Sequence, residues 1–151
     1  MNLGLSEDQR MMRDSFAGFL DEHSSAARVR AAAEAGGFDP VMWKGLAELG
    51  AFSLRIPEQH CGLGLGLMDA AVLMEEAGPT LVSGPLAETL VSARLLAMLG
   101  GDAHSALLEQ VVSGDTVLGI ALHDLAVRPE QWIAGGAVAD AVIARDGNKV
   151  V

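Results

Sequence analysis

The imidazole and thiol side chains that could bind zinc are few in this sequence, and they are scattered. They are four histidines and one cysteine: His23, His60, Cys61, His104 and His123. No two of them stand at the spacing of a zinc-binding pair, in which two or three residues separate the ligands. The sequence therefore predicts no metal site, and the single cysteine excludes an internal disulfide.

A glycine-rich stretch and an acidic pair are the other features that could do chemistry. The glycines of residues 62–66 stand two residues apart, but Leu67 occupies the position where a dinucleotide-binding loop needs its third glycine. We therefore interpret this stretch as a structural loop. Glu75 and Glu76 are neighbours on a predicted helix, so their side chains point about 100° apart. We expect a solvated acidic helix end and no paired-carboxylate catalysis.

The composition of the 151-residue chain limits what it can bind. Twenty acidic and ten basic residues give a formal net charge of −10, and 50% of the residues are hydrophobic. An acidic surface repels a phosphate backbone, which excludes nucleic-acid binding. No apolar stretch approaches the roughly 18 residues of a membrane span, and no export signal opens the sequence. The single cysteine suits a reducing compartment, so we expect a cytoplasmic protein.

Apolar residues at helical intervals predict six helices up to about residue 113. The predicted helices cover residues 6–22, 26–35, 40–49, 67–77, 85–99 and 102–113. Ser6 and Gln9 have the spacing of a capping box, Asp39 precedes Pro40 as an N-cap, and Asp102 is predicted to cap the last helix. Helix 67–77 is apolar nearly all round, so we expect it to be the most buried element. Residues 52–56 are predicted to form an extended connector.

The character of the sequence changes after residue 115. A β-branched run at 116–122 predicts a strand, with further strand candidates at 131–134 and 138–144. Asp146 and Gly147 supply the chemistry of a hairpin turn. Only three residues follow that turn, so we expect a partial chain that stops inside a β domain.

Three stretches of the sequence, in this order, resemble the acyl-CoA dehydrogenase family. LSEDQR at residues 5–10 is similar to its opening helix, and GFDPVMWKGLAELG at residues 37–50 to its next characteristic helix. IPEQHCGLGLG at residues 56–66 resembles the family's P-E-x-x-G-G-x-G loop, with Cys61 where the family usually has glycine. The resemblance covers nearly the whole chain, and the combination is specific although each piece alone is weak.

The resemblance implies a mainly α fold, an N-terminal helical bundle followed by an incomplete β-barrel domain. The helical domain would be residues 1–114, and residues 115–151 would begin the middle β domain. The family binds FAD and an acyl-CoA thioester, takes a proton from the α carbon and passes a hydride from the β carbon to the flavin. Its catalytic base is a glutamate of a C-terminal bundle, which these residues do not include, so no catalytic residue is assigned.

The segment that packs on the flavin in this family corresponds to residues 120–125. The resemblance implies that Ile120 and Leu122 face the flavin and that His123 stands where a threonine would donate to it. The alternative is that His123 is an ordinary strand histidine. The family's Thr-Glu-Pro signature is absent here, a loss that flavin-free subunits of heteromeric members share.

The start of helix 85–99 corresponds to the wall of the family's acyl pocket. The lining positions match four residues, Leu86, Ala87, Leu90 and Val91, while Glu88 and Arg94 are expected to face away. The alternative is that the four apolar residues pack only within the helical domain. The small side chain of Ala87 indicates room for a bulky acyl group, either fatty or steroid-derived.

Two classes of function follow from the resemblance. The first is part of an FAD-dependent acyl-CoA dehydrogenase, an oxidoreductase that supplies the helical domain and part of the acyl pocket. Its partners would be an acyl-CoA substrate, further copies of the chain or a heteromeric partner subunit, and an electron acceptor. The second is a non-catalytic helical interaction module or partner subunit derived from the same family.

The first prediction concerns the isolated 151-residue chain. Acyl-CoA dehydrogenation needs a positioned carboxylate base and a bound hydride acceptor, and the chain lacks the family's base. We expect the purified chain to be inactive in an assay that couples acyl-CoA oxidation to dye reduction. Robust acyl-CoA-dependent reduction would contradict this expectation.

Overall fold

The computed structural model describes residues 4–151, which form a helical bundle followed by a few short strands. The helices are α1 (Glu7–His23), α2 (Ala26–Glu34), α3 (Pro40–Glu48), α4 (Leu67–Ala77), α5 (Leu86–Leu99) and α6 (Asp102–Val112). Two short 3₁₀ helices, Ala51–Ser53 and Glu58–His60, lie between α3 and α4. The strands are β1 (Leu118–Ile120), β2 (Ala141–Ile143), β3 (Arg145–Asp146) and β4 (Lys149–Val150).

Local capping explains where α1 and α3 begin. The Ser6 hydroxyl accepts a hydrogen bond from the Gln9 N–H, and the Gln9 side chain accepts one from the Ser6 N–H, which confirms the predicted capping box. The Asp39 carboxylate accepts from the N–H groups of Val41 and Met42 at the start of α3. These caps satisfy N–H groups that have no partner within the helix.

Two clusters of buried side chains form the core. The first joins α1, α3, α4 and the start of α5, and its largest members are Phe16, Leu20, Met42, Trp43, Phe52 and Leu73. The second joins the end of α5 and α6 to the strands through Ala93, Leu96, Leu108, Val111, Leu118 and Ile143. Helix α5 contributes to both clusters, so it connects the helical part of the chain to the β region.

Two buried hydroxyl groups attach α5 to β1. The Thr89 hydroxyl donates to the Leu118 carbonyl at 2.9 Å, and the Ser92 hydroxyl donates to the Gly119 carbonyl at 3.2 Å. Both side chains are fully buried. Because a buried polar group without a partner costs about 1–3 kcal/mol, these bonds fix which face of α5 points at the strand.

The β region forms two small sheets among the described residues. β1 and β2 pair in parallel, with Leu118 opposite Ala141 and Ile120 opposite Ile143. β3 and β4 form the predicted antiparallel hairpin, in which Gly147 adopts a positive φ of 61°. Two of the predicted strand regions, 116–122 and 138–144, therefore contain strands, as expected.

Two predictions about the middle of the helical part are wrong. Residues 52–56 are not extended; the chain turns there, and the N–H groups of Ser53, Leu54 and Ile56 donate to carbonyls three residues earlier. The consecutive residues 51–54 are all buried, whereas a half-buried strand would expose alternate side chains. The most buried helix is α5 and not α4, since seven of fourteen residues are buried in α5 against four of eleven in α4. Helix α4 packs on α1 and leaves its opposite face exposed.

Two further predictions of local structure are also wrong. Residues 131–134 form no strand, because the Gln131 side chain bonds to the backbone of residue 123 and Trp132 is 99% exposed. Asp102 is the first residue of α6 and makes no side-chain cap; Gly101 precedes it with a φ of 89°. The division of the chain into domains at residues 114 and 115 stays a prediction.

The second prediction tests the packing of α4. Leu73 is fully buried in the first core cluster, so Leu73→Ala should lower the free energy of unfolding by about 2–5 kcal/mol. Met74 lies beside it but is 37% exposed, and Met74→Ala should cost less than about 1 kcal/mol. Urea denaturation followed by circular dichroism measures both values. Equal losses for the two variants would contradict the packing of this helix.

Candidate functional site

An apolar cleft of about 270 Å³ lies where the end of α4 meets the start of α5. The end of α4 and the residue after it, the connecting loop and the first turn of α5 each contribute three lining residues. They are Met74, Ala77, Gly78, Leu81, Val82, Gly84, Leu86, Ala87 and Glu88. All except Glu88 have nonpolar side chains or none, so the cleft suits a hydrocarbon group.

The loop that forms the cleft is held by specific contacts. The Ser24 hydroxyl donates to the Thr80 carbonyl at 2.9 Å, which fixes the loop to the end of α1. Gly84 has a φ of 146°, and a Cβ atom there would lie 2.8 Å from the ring of Trp43. On the other side, a Cβ atom on Gly135 would lie 2.5 Å from Pro85. The start of α5 therefore packs closely on two sides, at Gly84 and at Gly135, and neither position has room for a side chain.

The structure divides the four residues predicted to line the acyl pocket. Leu86 and Leu90 are buried in the first core cluster, while Ala87 and Val91 are exposed on the outer side of α5. The division follows from the helical repeat, because residues four apart share a face and residues one apart do not. Leu86 and Ala87 also line the cleft, so the buried face and the exposed face of α5 both border the cleft.

Glu88 and Arg94, the two side chains predicted to face away from the acyl pocket, lie in different surroundings. Glu88 is half-buried and lines the α4–α5 cleft, so it does not face away from this cleft; its orientation relative to an acyl pocket stays a prediction. Its position follows from the buried contacts of its neighbour Thr89, which set the rotation of the helix. Arg94 lies two turns further on and donates a hydrogen bond to the Arg55 carbonyl.

The segment predicted to contact a flavin lies at the end of β1. Ile120 is half-buried in the strand, Leu122 is 80% exposed, and His123 is exposed. The Gln131 side chain accepts a hydrogen bond from the His123 N–H at 3.0 Å and donates one to the His123 carbonyl at 2.9 Å. One side chain therefore occupies both backbone groups of His123.

Asp124 organises the loop that follows this segment. Its Oδ1 atom accepts hydrogen bonds from the N–H groups of Gly147 and Ala126, both at 2.9 Å, and Arg145 lies 3.3 Å from Oδ2. The two N–H donors, Gly147 foremost, and the Arg145 charge hold the pKa of the Asp124 carboxyl below its usual value. Asp124 thereby ties the loop after β1 to the hairpin of β3 and β4.

The flavin contacts expected for Ile120, Leu122 and His123 stay a prediction. Ile120 and Leu122 present apolar surface, but both backbone groups of His123 already have partners within the loop. The loop is closed by its own side chains, those of Gln131 and Asp124. None of the three predicted contact residues lines the α4–α5 cleft.

The glycine-rich loop at residues 62–66 serves the fold, as predicted. The N–H groups of Leu63, Gly64 and Leu65 donate to backbone carbonyls of residues 53, 56 and 54. A Cβ atom on Gly62 would lie 2.0 Å from the Ile56 carbonyl oxygen, so no side chain fits there. These amides are used within the loop and are not presented to a phosphate.

Two of the larger cavities lie apart from the α4–α5 cleft. A cavity of about 380 Å³ beside α6 is bordered by His60 and by Cys61, which has a φ of 60° at the position where the family usually has glycine. A wider cleft of about 830 Å³ lies between α3 and the β region, with the Lys44–Asp115 ion pair at its edge. Within residues 4–151 no three His, Cys, Asp or Glu side chains come together as metal ligands would.

Comparison with known proteins identifies the family. Residues 6–115 match the model of the acyl-CoA dehydrogenase N-terminal domain. The chain is 36% identical over 145 residues to acyl-CoA dehydrogenase IpdE2 of Mycolicibacterium smegmatis, covering 95% of this chain and 44% of that protein. It is 33% identical over 121 residues to benzylmalonyl-CoA dehydrogenase of Aromatoleum aromaticum, covering 78% of this chain and 32% of that protein. The chain belongs to the acyl-CoA dehydrogenase family.

Solved structures agree with this assignment. A variant of the steroid acyl-CoA dehydrogenase Tcur3481-Tcur3483 superposes with a TM-score of 0.70 at 32% identity, over 80% of this chain and 34% of that one. The ChsE4-ChsE5 complex of Mycobacterium tuberculosis gives a TM-score of 0.78 at 21% identity, over 99% of this chain and 47% of that one, which shows the shared fold. This chain thus spans less than half the length of these relatives. No helix in residues 4–151 has the length and apolar character needed to cross a bilayer.

The third prediction concerns Asp124. A lowered folded-state pKa means that the ionised carboxylate stabilises the loop above the ordinary carboxyl pKa of about 4, and that this contribution is lost as the pH falls through the lower folded value. Hydrogen-exchange protection of the Gly147 and Ala126 amides should therefore decrease on acidification. Asp124→Ala should remove that protection at every pH, whereas Glu130→Ala, an exposed carboxylate in the same loop, should not. Unchanged protection in Asp124→Ala would show that the loop does not depend on this residue.

Proposed function

We propose that this chain is part of a flavin-dependent acyl-CoA dehydrogenase and supplies one wall of its acyl pocket. The reaction is α,β-dehydrogenation: a proton leaves the α carbon, a hydride leaves the β carbon, and a carbon–carbon double bond forms. The residues of this chain bind and shape the acyl group. The base and the hydride acceptor, FAD in this family, are supplied by the rest of the enzyme or by a partner subunit.

The apolar cleft between α4 and α5 is the observation that carries this proposal. Ala87 lies at its edge and Val91 lies one turn further along the same exposed face of α5. Together they extend the apolar surface of the cleft along the helix, as a wall for an acyl chain requires. Family membership supports the same reading, because the matched domain belongs to enzymes that act on acyl-CoA thioesters.

We propose a bulky, ring-bearing acyl group as the substrate class. Ala87 has the smallest side chain that lines the cleft on α5, which leaves room beside the helix. Two similar proteins are named for ring-containing compounds. They are a steroid acyl-CoA dehydrogenase and a benzylmalonyl-CoA dehydrogenase. A straight-chain fatty acyl group would fill less of this space.

We propose that the enzyme is an oligomer in the cytoplasm and passes electrons to a separate acceptor. The partner is either a second copy of the chain or a different dehydrogenase subunit. The similar ChsE4-ChsE5 protein is a complex of two chains, which supports the heteromeric form. Exposed apolar side chains on α4 and α5, among them Leu67, Met68 and Met98, supply surface for such a partner.

The fourth prediction tests the wall of the acyl pocket. Ala87→Phe places a ring at the edge of the cleft, so kcat/KM for a ring-bearing acyl-CoA should fall roughly tenfold or more, with a smaller change for butyryl-CoA. The measurement is steady-state dye reduction by the holoenzyme that contains this chain. Ala27→Phe is the matched control, because Ala27 is exposed on α2 and lies outside the cleft.

Two results would contradict the proposal. Equal effects of Ala87→Phe and Ala27→Phe would show that α5 does not border the acyl group. A wild-type complex that neither binds nor oxidises any acyl-CoA would favour a non-catalytic interaction module.

A further inference from the structure

Glu88 is the only ionisable side chain that lines the α4–α5 cleft within the described part of the chain. It lies in the first turn of α5, directly beside Leu86 and Ala87, and it is half-buried. The cleft walls opposite it come from the end of α4 and from the connecting loop, and all of them are nonpolar. An acyl group in this cleft would therefore meet one carboxylate in otherwise apolar surroundings.

The Glu88 carboxylate forms no hydrogen bond and no ion pair with any side chain or backbone group in residues 4–151. Three other half-buried carboxylates, those of Asp39, Asp69 and Asp124, have partners, whereas that of Glu76, at the end of α4 and outside the cleft lining, has none among the described residues. Asp39 accepts from Arg28 and two backbone N–H groups, and Asp69 accepts from Gln9 and the Gly66 N–H. Glu88 thus depends on water, or on a bound molecule, for its hydrogen bonds.

An acyl group that covers Glu88 would displace that water. An ionised carboxylate accepts hydrogen bonds and donates none, and losing its water without a replacement is unfavourable. A hydroxyl on the acyl group would replace the water with a strong hydrogen bond, because one partner is charged. A plain hydrocarbon would leave the carboxylate unpaired, and a second carboxylate on the acyl group would be repelled.

We propose that Glu88 is a specificity-determining residue that selects acyl groups carrying a hydroxyl or another hydrogen-bond donor beyond the β carbon. This inference rests on the proposed function, since it places an acyl group in the cleft. It adds the chemical character of that group, which the apolar lining alone does not define. The substrate class becomes a ring-bearing acyl-CoA with at least one polar donor.

A purely structural role for Glu88 predicts a different effect of its removal. An acidic side chain in the first turn stabilises a helix through its dipole, whatever the enzyme binds. Removing it would then lower stability and change the handling of all substrates alike. A substrate preference that depends on the acyl hydroxyl separates the two roles.

The fifth prediction uses pairs of acyl-CoA compounds that differ by one hydroxyl. The probes are cyclohexylpropanoyl-CoA and its analogues with a single hydroxyl at successive ring positions, tested on the holoenzyme that contains this chain. The dissociation constants of the matching non-oxidisable thioethers and kcat/KM for the thioesters are measured for wild type, Glu88→Leu and Glu88→Gln. Asp102→Leu is the control, because it removes an exposed acid from the first turn of α6, outside the cleft.

The wild type should prefer at least one hydroxylated analogue roughly tenfold or more over the parent compound. Glu88→Leu should reduce that preference to about twofold or less and bind the parent compound more tightly. Glu88→Gln, which keeps an acceptor oxygen without the charge, should retain part of the preference, and Asp102→Leu should retain all of it.

Three outcomes would overturn the inference. A wild-type enzyme that handles the parent and every hydroxylated analogue equally well would refute it while leaving the proposed dehydrogenase function intact. A hydroxyl preference that survives Glu88→Leu would assign the selectivity to another residue. A complex that binds no acyl-CoA at all would refute the proposed function and this inference together.

Discussion

The orientation of α5, the helix that belongs to both core clusters, depends on the two hydroxyl-to-carbonyl hydrogen bonds between α5 and β1. Thr89 and Ser92 are fully buried in a helix whose other inward residues are apolar. Because neither hydroxyl can reach water, each must face its β1 carbonyl, and this requirement fixes the rotation of α5 about its axis. With the rotation fixed, Leu86 and Leu90 turn into the core and Ala87 and Val91 turn outward. The exposed surface of Ala87 and Val91, the candidate wall of the acyl pocket, therefore results from the hydrogen bonds that Thr89 and Ser92 make on the other side of α5.

The helices could be predicted from sequence because their signals are local. The capping pair of Ser6 and Gln9 and the Asp39 cap before Pro40 act within a few residues of each other, and each is present as expected. The hairpin around Gly147 is equally local. The turned segment at residues 52–56 was not predictable in the same way, since a stretch buried on every side carries no periodic pattern.

The candidate site depends on longer-range contacts, and the sequence predicted it less completely. The orientation of Glu88 follows from bonds between residues about thirty positions apart in the chain, which no spacing rule near residue 88 reveals. A usable signal was present in the two hydroxyl residues three apart on an apolar helix, which indicates a polar partner across the core. The closed loop after β1 was likewise hidden, because it depends on Gln131 bonding back to His123 and on Asp124 reaching the distant Gly147.

The tight contacts around Pro85 bear on how this domain can be recombined with others of its family. Gly84 meets the Trp43 ring, and Gly135 meets Pro85 from the β region, each without room for a Cβ atom. Trp43, Pro85 and Gly135 belong to separate parts of the chain, yet they must be exchanged together because they pack around the same point. A chimaera joined between α6 and β1 would take the start of α5 from one parent and the loop around residue 135 from another. Any side chain at position 135 would then clash with Pro85. A junction that keeps residue 135 with its own Pro85 avoids this conflict, so the practical boundary for domain exchange lies after residue 135 and not at the end of the helical bundle.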